Sequence, residues 1–150
     1  MIEGLRIKDI KVNSDVRGNF REVLREDEGL ISKLSQVSIG VTLPGVIKAF
    51  HWHERQDDTM YVLGGKVLMG LYDGREDSQT KGNKEALILS DERPQMIVIP
   101  RGVYHGYKVL GEKPAQVLYI MNNCYDPKNP DEGRVPYDDP KINFDWSRNE

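Results

Sequence analysis

The chain has 150 residues and a formal net charge of -3 at pH 7, a length that suits one domain with a sizeable core. This slightly acidic balance offers no basic patch, so we expect neither a nucleic-acid polymer nor a membrane as a partner. The single cysteine, Cys124, excludes an intramolecular disulfide, and the first residues lack the pattern of a secretion signal. We therefore expect residues 1–150 to form a single cytoplasmic domain.

Short β-rich runs, most of them bounded by Gly, Pro, Asp or Asn, follow one another along most of the chain. In order, they are LRIKDIKV, QVSIGVTL, GVIKAFHWH, TMYVLGG, KVLMGLYDG, EALILS, QMIVIP, HGYKVLG and AQVLYIMN. Several of them alternate apolar with polar residues, as half-buried strands do. Only the stretch REDEGLISKLSQ resembles a helical segment, and it is short. The spacing of the turns predicts an all-β sandwich or barrel.

From Asn122 onward the composition changes to a stretch rich in Asp, Asn and Pro. Such a composition by itself favours a loose tail. However, the stretch also contains Tyr125, Tyr137, Phe144 and Trp146, large side chains that a disordered tail seldom carries. We therefore expect an ordered, irregular C-terminal segment that packs on the β-structure.

All three histidines of the chain lie in two spaced motifs. His51 and His53 stand two apart in a predicted strand, so their side chains project from the same face, and Asp58 follows closely. His105 lies in IPRGVYHGY, in the order P-x-G-x-x-H. The two spacings resemble the motifs of the cupin superfamily, with Asp58 in place of a Glu. This resemblance implies a cupin-type jelly-roll barrel whose motif side chains converge in its mouth.

The chemistry of these side chains allows different uses. A cluster of His51, His53, Asp58 and His105 would suit a divalent metal ion such as Zn²⁺, Fe²⁺, Mn²⁺ or Ni²⁺. Alternatively, one imidazole with a pKa near neutrality can take a proton from carbon. The third alternative is that the histidines are exposed strand residues or hydrogen-bonded core residues. Residue types and spacing leave all three open.

Beyond the histidines, nearly the whole chain resembles the dTDP-4-dehydrorhamnose 3,5-epimerases, a narrower family within the cupins. The segments DVRGNFRE, GVIKAFHWH and IPRGVYHGYKVL each resemble a segment of that family. The long C-terminal stretch LYIMNNCYDPKNPDEGRVPYDDPKINFDW also resembles it and is unlike anything general to cupins. On these segments we identify the chain as a divergent member of the family.

The family resemblance implies a reaction and two catalytic residues. The reaction is proton exchange at C3 and C5 of a 4-keto-6-deoxy sugar on a nucleoside diphosphate, and no cofactor is expected. By position, His51 would be the base that removes the proton, and Tyr119 the acid on the opposite face of the sugar. Without the resemblance, Tyr119 could equally be an ordinary strand tyrosine packed against Trp52.

The resemblance also implies residues that bind the substrate. Those near the sugar would be His105, Tyr125, Gln36 and Gln56. Lys48 would lie near the diphosphate or the C4 oxygen. Arg17 and Glu22 would contact the nucleotide of a neighbouring subunit through exchanged N-terminal strands. The resemblance therefore implies a homodimer that binds a small-molecule nucleotide sugar.

Four positions depart from the family pattern. His53 replaces a glutamine, Asp58 replaces the lysine expected to stabilise the enolate, and Ile120 replaces a lysine after the catalytic tyrosine. The aspartate expected beyond Trp146 to orient the base has no match in the sequence. Two of these changes, His53 and Asp58, introduce metal-ligand types.

These departures leave three hypotheses. The first is a sugar-nucleotide epimerase or isomerase, in which Asp58 could replace the missing carboxylate behind His51 and Lys48 could serve the C4 oxygen. The second is a metal-dependent cupin enzyme that uses the three histidines and Asp58 as ligands. The third is a non-catalytic protein that binds sugar nucleotides.

Overall fold

A computed structural model describes residues 1–149, and strands dominate this range. One 3-10 turn, Glu26–Glu28, is the only helical element in it, and no helix there is long and apolar enough to cross a membrane. The helical stretch expected in REDEGLISKLSQ is reduced to this turn, because Gly29 ends it in a left-handed conformation. The strands are β1 (Arg6–Asp9), β2 (Val12–Asp15), β3 (Gly18–Arg21), β4 (Gln36–Thr42), β5 (Ile47–Trp52), β6 (Asp58–Gly64), β7 (Lys66–Asp73), β8 (Lys84–Ser90), β9 (Gln95–Ile99), β10 (Val103–Leu110), β11 (Ala115–Met121) and β12 (Gly133–Arg134).

Two five-stranded antiparallel sheets contain most of these strands. The first sheet has the order β1-β9-β6-β11-β4, and the second has the order β12-β5-β10-β7-β8. The two sheets share one apolar core, to which β6, β9 and β11 contribute from one side and β7 and β10 from the other. This architecture confirms the predicted all-β, cupin-type jelly-roll barrel. The run LRIKDIKV, expected as one strand, is divided between β1 and β2, and β2 pairs only with β3 in a separate hairpin.

The two-residue period of the strands places two polar side chains inside the barrel. In β6, Asp58 and Val62 lie on the inner face, and both are almost fully buried. In β10, His105 lies between the inward-facing Val103 and Tyr107, and it is buried as well. A buried charge is costly unless it is paired, so Asp58 and His105 require partners at this end of the barrel.

The C-terminal segment packs on the outer face of the second sheet, as predicted. The Trp146 ring lies 5.5 Å from the ring of Phe50 in β5 and 4.4 Å from that of Phe144. The indole N–H of Trp146 donates a hydrogen bond of 2.9 Å to the backbone carbonyl of Tyr137. The side chains of Tyr125 and Tyr137 remain largely exposed, so Phe144 and Trp146 anchor the segment and the two tyrosines do not.

A buried carboxylate organises the turn between β7 and β8. Asp73 is fully buried and accepts hydrogen bonds from Arg75 (Nε, 2.9 Å), from Ser78 (2.6 Å) and from Thr80 (2.6 Å). Burial by itself would raise the pKa of Asp73, but these hydrogen bonds outweigh burial and hold that pKa well below its ordinary value. The charged carboxylate is thus the form that stabilises the turn.

We expect Asp73→Asn to lower the free energy of unfolding by about 2–3 kcal/mol near neutral pH, because it replaces charge-assisted hydrogen bonds by neutral ones. Urea denaturation of the variant and of the wild type measures this difference. The native pKa of Asp73 is depressed, so the difference should be complete above the ordinary carboxyl value of 3.8 and should shrink as the pH falls below it. Asp77→Asn, in the same turn at an exposed position, is the matched control. An equal loss of stability in both variants would contradict this account.

Candidate active site

A cavity of about 540 Å³ opens at the mouth of the barrel. Strand β5 and the turn after it supply one wall, β4, β6 and β11 supply another, and residues 121–132 form the rim. The predicted site residues that line this cavity are His51, His53, Gln56, Asp58, Tyr119, Gln36 and Tyr125. The structure therefore brings together most of the residues that the sequence singled out.

The three histidines converge on one oxygen of Asp58. The Nε2 atoms of His53 and His105 each lie 3.0 Å from Asp58 Oδ2, and the Nε2 atom of His51 lies 3.9 Å from it. His51 and His105 stand directly opposite each other in the ladder between β5 and β10, with their ring centroids 4.2 Å apart. The cluster thus depends on strand register across the second sheet and on the inward face of β6.

Hydrogen bonds behind the cluster fix the orientation of three of its members. The ring Nδ1–H of His105 donates to the backbone carbonyl of Val103 at 2.9 Å, and that of His53 donates to the backbone carbonyl of Asp131. Because a carbonyl only accepts, Nδ1 carries a proton in both rings. The Gln56 amide donates to the second oxygen of Asp58 at 2.6 Å.

His51 differs from the other two histidines. Among the described residues, neither of its ring nitrogens has a hydrogen-bond partner, and its side chain is 27% exposed. Burial lowers the pKa of His51 to about 2, and the neighbouring His105 acts in the same direction. Asp58, 3.9 Å away, is the group that opposes this lowering. His51 is therefore a neutral imidazole that faces the cavity.

His53 and Asp58 form a charge pair. Burial lowers the pKa of His53, but its hydrogen bond with Asp58 and the charge of Asp58 together raise that pKa to about 9. Burial raises the pKa of Asp58, and the hydrogen bonds to His105 and His53 outweigh burial and hold it well below its usual range. Asp58 therefore pairs with His53 and His105 and is not a close orienting partner of His51, contrary to one alternative drawn from the sequence.

Tyr119 lies on the inner face of β11 and lines the same cavity as His51. Its hydroxyl lies 2.9 Å from that of Tyr107, which lies 2.9 Å from the Thr42 hydroxyl. The alternative interpretation, in which Tyr119 packs against Trp52, is wrong. Trp52 stacks instead on Tyr104, with the ring centroids 4.1 Å apart. Burial and the Tyr107 hydrogen bond raise the pKa of Tyr119 far above 10, so this tyrosine stays protonated.

Four predicted substrate-binding residues do not line this cavity. His105 is almost fully buried and is hydrogen-bonded to Asp58. Lys48 is an exposed residue of β5 that pairs with Tyr107 of β10, and its role near the diphosphate or the C4 oxygen stays a prediction. Arg17 lies at the tip of the hairpin of β2 and β3, where it forms an ion pair with Asp15 at 2.6 Å. Glu22 follows the hairpin and lies 3.7 Å from Arg25. Neither Arg17 nor Glu22 lines the cavity of its own chain.

Sequence reasoning missed Asp131, which connects the rim to the histidine cluster. Its carbonyl accepts the His53 hydrogen bond, and its two carboxylate oxygens accept the backbone N–H groups of Glu54 and Arg55, each at 2.9 Å. Next to it, Gly133 pairs with Trp52, and a Cβ atom at this glycine would lie 2.1 Å from the indole ring. The run NPDEG carries the turn signal of this segment, but nothing in it indicates contact with a histidine 78 residues earlier.

Comparison with known proteins identifies the family. A sequence profile of the dTDP-4-dehydrorhamnose 3,5-epimerase family matches residues 1–150. The chain belongs to this family. It is therefore an enzyme of the isomerase class and a member of a group of sugar-nucleotide epimerases, as the segments quoted above predicted.

Several relatives match over nearly the full length. The chain is 45% identical to the spore coat polysaccharide biosynthesis protein SpsL of Bacillus subtilis, over 98% of this chain and 97% of that protein. It is 37% identical to the probable low-salt glycan biosynthesis epimerase Agl13 of Haloferax volcanii, over 97% and 95% of the two chains. It is 30% identical to the dTDP-4-dehydrorhamnose 3,5-epimerase of Methanothermobacter thermautotrophicus, over 97% and 80%.

Solved structures of the family superpose closely on the barrel. The dTDP sugar isomerase of Desulfovibrio desulfuricans G20 has a TM-score of 0.90 at 26% identity, over 99% of this chain and 94% of that one. The epimerase RmlC of Legionella pneumophila, solved in complex with dTDP-4-keto-L-rhamnose, has a TM-score of 0.87 at 31% identity, over 99% and 81%. The family fold is therefore retained although the cavity carries Asp58 and His53.

We expect Tyr119→Phe to leave the alkaline titration of the native protein unchanged, because Tyr119 stays protonated where ordinary tyrosines ionise, between about pH 9 and 11. The ultraviolet absorbance of tyrosinate measures this titration. In denaturant, all seven tyrosines should titrate, and the variant should then show one fewer than the wild type. A native titration that loses one tyrosine at ordinary pH would show that Tyr119 ionises freely.

Proposed function

We propose that the protein epimerises a nucleoside-diphosphate 4-keto-6-deoxy sugar, with His51 as the base and Tyr119 as the opposing acid. The observation that carries this proposal is that an unprotonated imidazole and a protonated phenol line the same cavity. Gln36 and Gln56 line this cavity as well and supply polar contacts of the kind a sugar needs. The complex of the Legionella relative with dTDP-4-keto-L-rhamnose supports the choice of substrate class.

The chemistry follows from the acidity of a C–H group beside a ketone. His51 removes the proton, the electron pair moves onto the C4 oxygen as an enolate, and Tyr119 protonates the carbon from the other face. The new imidazolium is stabilised by the Asp58 carboxylate, 3.9 Å away. The hydrogen bond between Tyr119 and Tyr107 holds the phenol in place. Inversion then requires only that the base and the acid address opposite faces of the sugar.

The relatives indicate where such a product would be used. The Bacillus relative is named for spore coat polysaccharide biosynthesis and the Haloferax relative for low-salt glycan biosynthesis. We therefore propose that the modified sugar is destined for a surface polysaccharide or a related glycan. The cytoplasmic location expected from the sequence stays a prediction.

We also propose that the protein acts as a homodimer with exchanged N-terminal strands. In β4, Val37, Ile39 and Val41 point outward and are 51%, 64% and 60% exposed, which is unusual for β-branched residues on one strand face. The hairpin of β2 and β3 pairs with no other strand among the described residues and exposes Phe20. A second copy would cover this apolar face and receive the hairpin. Arg17 would then reach the partner's cavity.

We expect His51→Asn to slow proton exchange and epimerisation about 10²–10⁴-fold, because it removes the base. Tyr119→Phe should abolish inversion, because the acid on the opposite face is lost. It should reduce proton exchange on the face next to His51 less than it reduces inversion. The measurement is deuterium incorporation from D₂O into dTDP-4-keto-6-deoxyglucose at C3 and C5, followed by NMR. Tyr137→Phe, outside the cavity, is the matched control for the tyrosine variant. Undiminished exchange in His51→Asn would remove His51 from this role.

We expect Ile39→Glu to convert the dimer into monomers, because the new charge would be buried at the centre of the apolar face. Sedimentation velocity compares the variant with the wild type at the same concentration. Tyr137→Glu introduces the same charge at an exposed position on the C-terminal segment and should leave the dimer intact. A monomeric wild type would contradict the proposed assembly.

A further inference from the structure

We propose that His53, His105 and Asp58 hold a divalent first-row transition-metal ion such as Zn²⁺, and that this ion binds the ketone oxygen of the substrate. The second clause rests on the proposed function, whereas the first stands on the geometry alone. One ring nitrogen from each histidine and a carboxylate oxygen of Asp58 lie within 4.8 Å of one another, together with His51. Two imidazoles and a carboxylate with further positions open form a known type of metal site.

The hydrogen-bond directions in the cluster favour a cation at its centre. Both His53 and His105 use Nδ1–H toward a backbone carbonyl, so each ring turns Nε2 toward Asp58 Oδ2. Each Nε2 atom lies 3.0 Å from this oxygen, and a metal ion that displaced the Nε2 protons would meet three electron-pair donors at one point. Ligands of a tetrahedral ion lie about 3.3 Å apart, given metal–ligand distances of about 2.0–2.1 Å. Each of these two nitrogen–oxygen distances therefore needs to lengthen by only a few tenths of an ångström.

The surroundings of these three residues match those of metal ligands. A metal-bound histidine usually donates its other ring N–H to a carbonyl or a carboxylate, and a metal-bound carboxylate is itself hydrogen-bonded. Val103, Asp131 and Gln56 supply these partners. His105 and Asp58 are also almost fully buried, so their orientation is fixed by packing.

His51 stands apart from this set. Its Nε2 atom lies 3.9 Å from Asp58 Oδ2, against 3.0 Å for the other two histidines. No described residue binds its Nδ1 atom, and its side chain is more exposed to the cavity than those of His53 and His105. The geometry therefore divides the cluster into three ligands and one base. This division lets a metal ion and His51 act in the same reaction.

The charge around the cavity explains what such an ion would do. Among the described residues that line it, Asp58, Asp126, Asp131 and Glu132 are acidic, and Arg55 is the only arginine or lysine. An anionic sugar nucleotide and a developing enolate both require positive charge there. A bound divalent ion would act as a Lewis acid on the ketone oxygen and stabilise the enolate. It would supply the cation that no lysine supplies in this cavity.

Metal binding is measured on the full chain after removal of metal with a chelator. We expect Co²⁺ to bind with one ion per chain and to give visible d–d absorption, and Zn²⁺ to displace it. Asp58→Asn and His53→Ala should lose this binding, whereas His51→Ala should retain it. Gln56→Ala, which removes only the hydrogen bond behind Asp58, should weaken binding about 10–100-fold. Circular dichroism checks that each variant is folded.

The outcomes separate the two proposals. Equal Co²⁺ binding by the wild type and Asp58→Asn, or none by the wild type, would overturn the metal site. Loss of binding in His51→Ala would overturn the three-ligand assignment. If a variant fails to fold, X-ray absorption of the Co²⁺-loaded wild type decides, because two imidazole ligands are expected and three would contradict the proposal. If Co²⁺ binds specifically but the protein catalyses no deuterium exchange, the proposed function is wrong and the metal site stands. If deuterium exchange continues after the metal is removed, the role of the ion in the reaction is wrong.

Discussion

A single carboxylate inside an apolar barrel governs the arrangement of the whole site. Asp58 lies on the inner face of β6 with 3% of its surface exposed, in a strand whose neighbouring inward side chains are apolar. A buried charge is tolerated only when its environment supplies compensating groups. Here His53 and His105 address one carboxylate oxygen and Gln56 addresses the other. Strand pairing, histidine orientation and the turn after β5 all converge on this requirement.

The same constraint explains how one family fold can carry a different cavity. The barrel superposes on two solved relatives at TM-scores of 0.90 and 0.87 although the sequence identities are only 26% and 31%, so the backbone framework tolerates extensive change of side chains. At position 58 the family resemblance implies a lysine, whereas this chain carries a carboxylate that pairs with His53. A reaction that builds negative charge on oxygen then requires positive charge from another source. The chemistry of the site can thus vary while the fold is retained.

Much of the fold and part of the site could be predicted from the sequence. Alternation of apolar and polar residues located most strands, and spacing alone put His51 and His53 on one face. The C-terminal anchor Trp146 could be inferred because such a side chain is seldom left in water. What could not be predicted depends on contacts between distant strands. The pairing of Tyr119 with Tyr107 and the distances from Asp58 to each histidine follow from register and packing, which the local sequence does not encode.

The double role of Asp131 bears on how a ligand enters. One residue ties the rim to the barrel in two ways, through its carboxylate to the turn after β5 and through its carbonyl to the ring of His53. If this part of the rim were lifted as a flap, the His53 ring would lose the contact that sets its tautomer. Entry and exit that preserve the site must therefore leave this part of the rim in place. The site is in this sense preorganised, and the alignment of its histidines does not have to be rebuilt in every turnover.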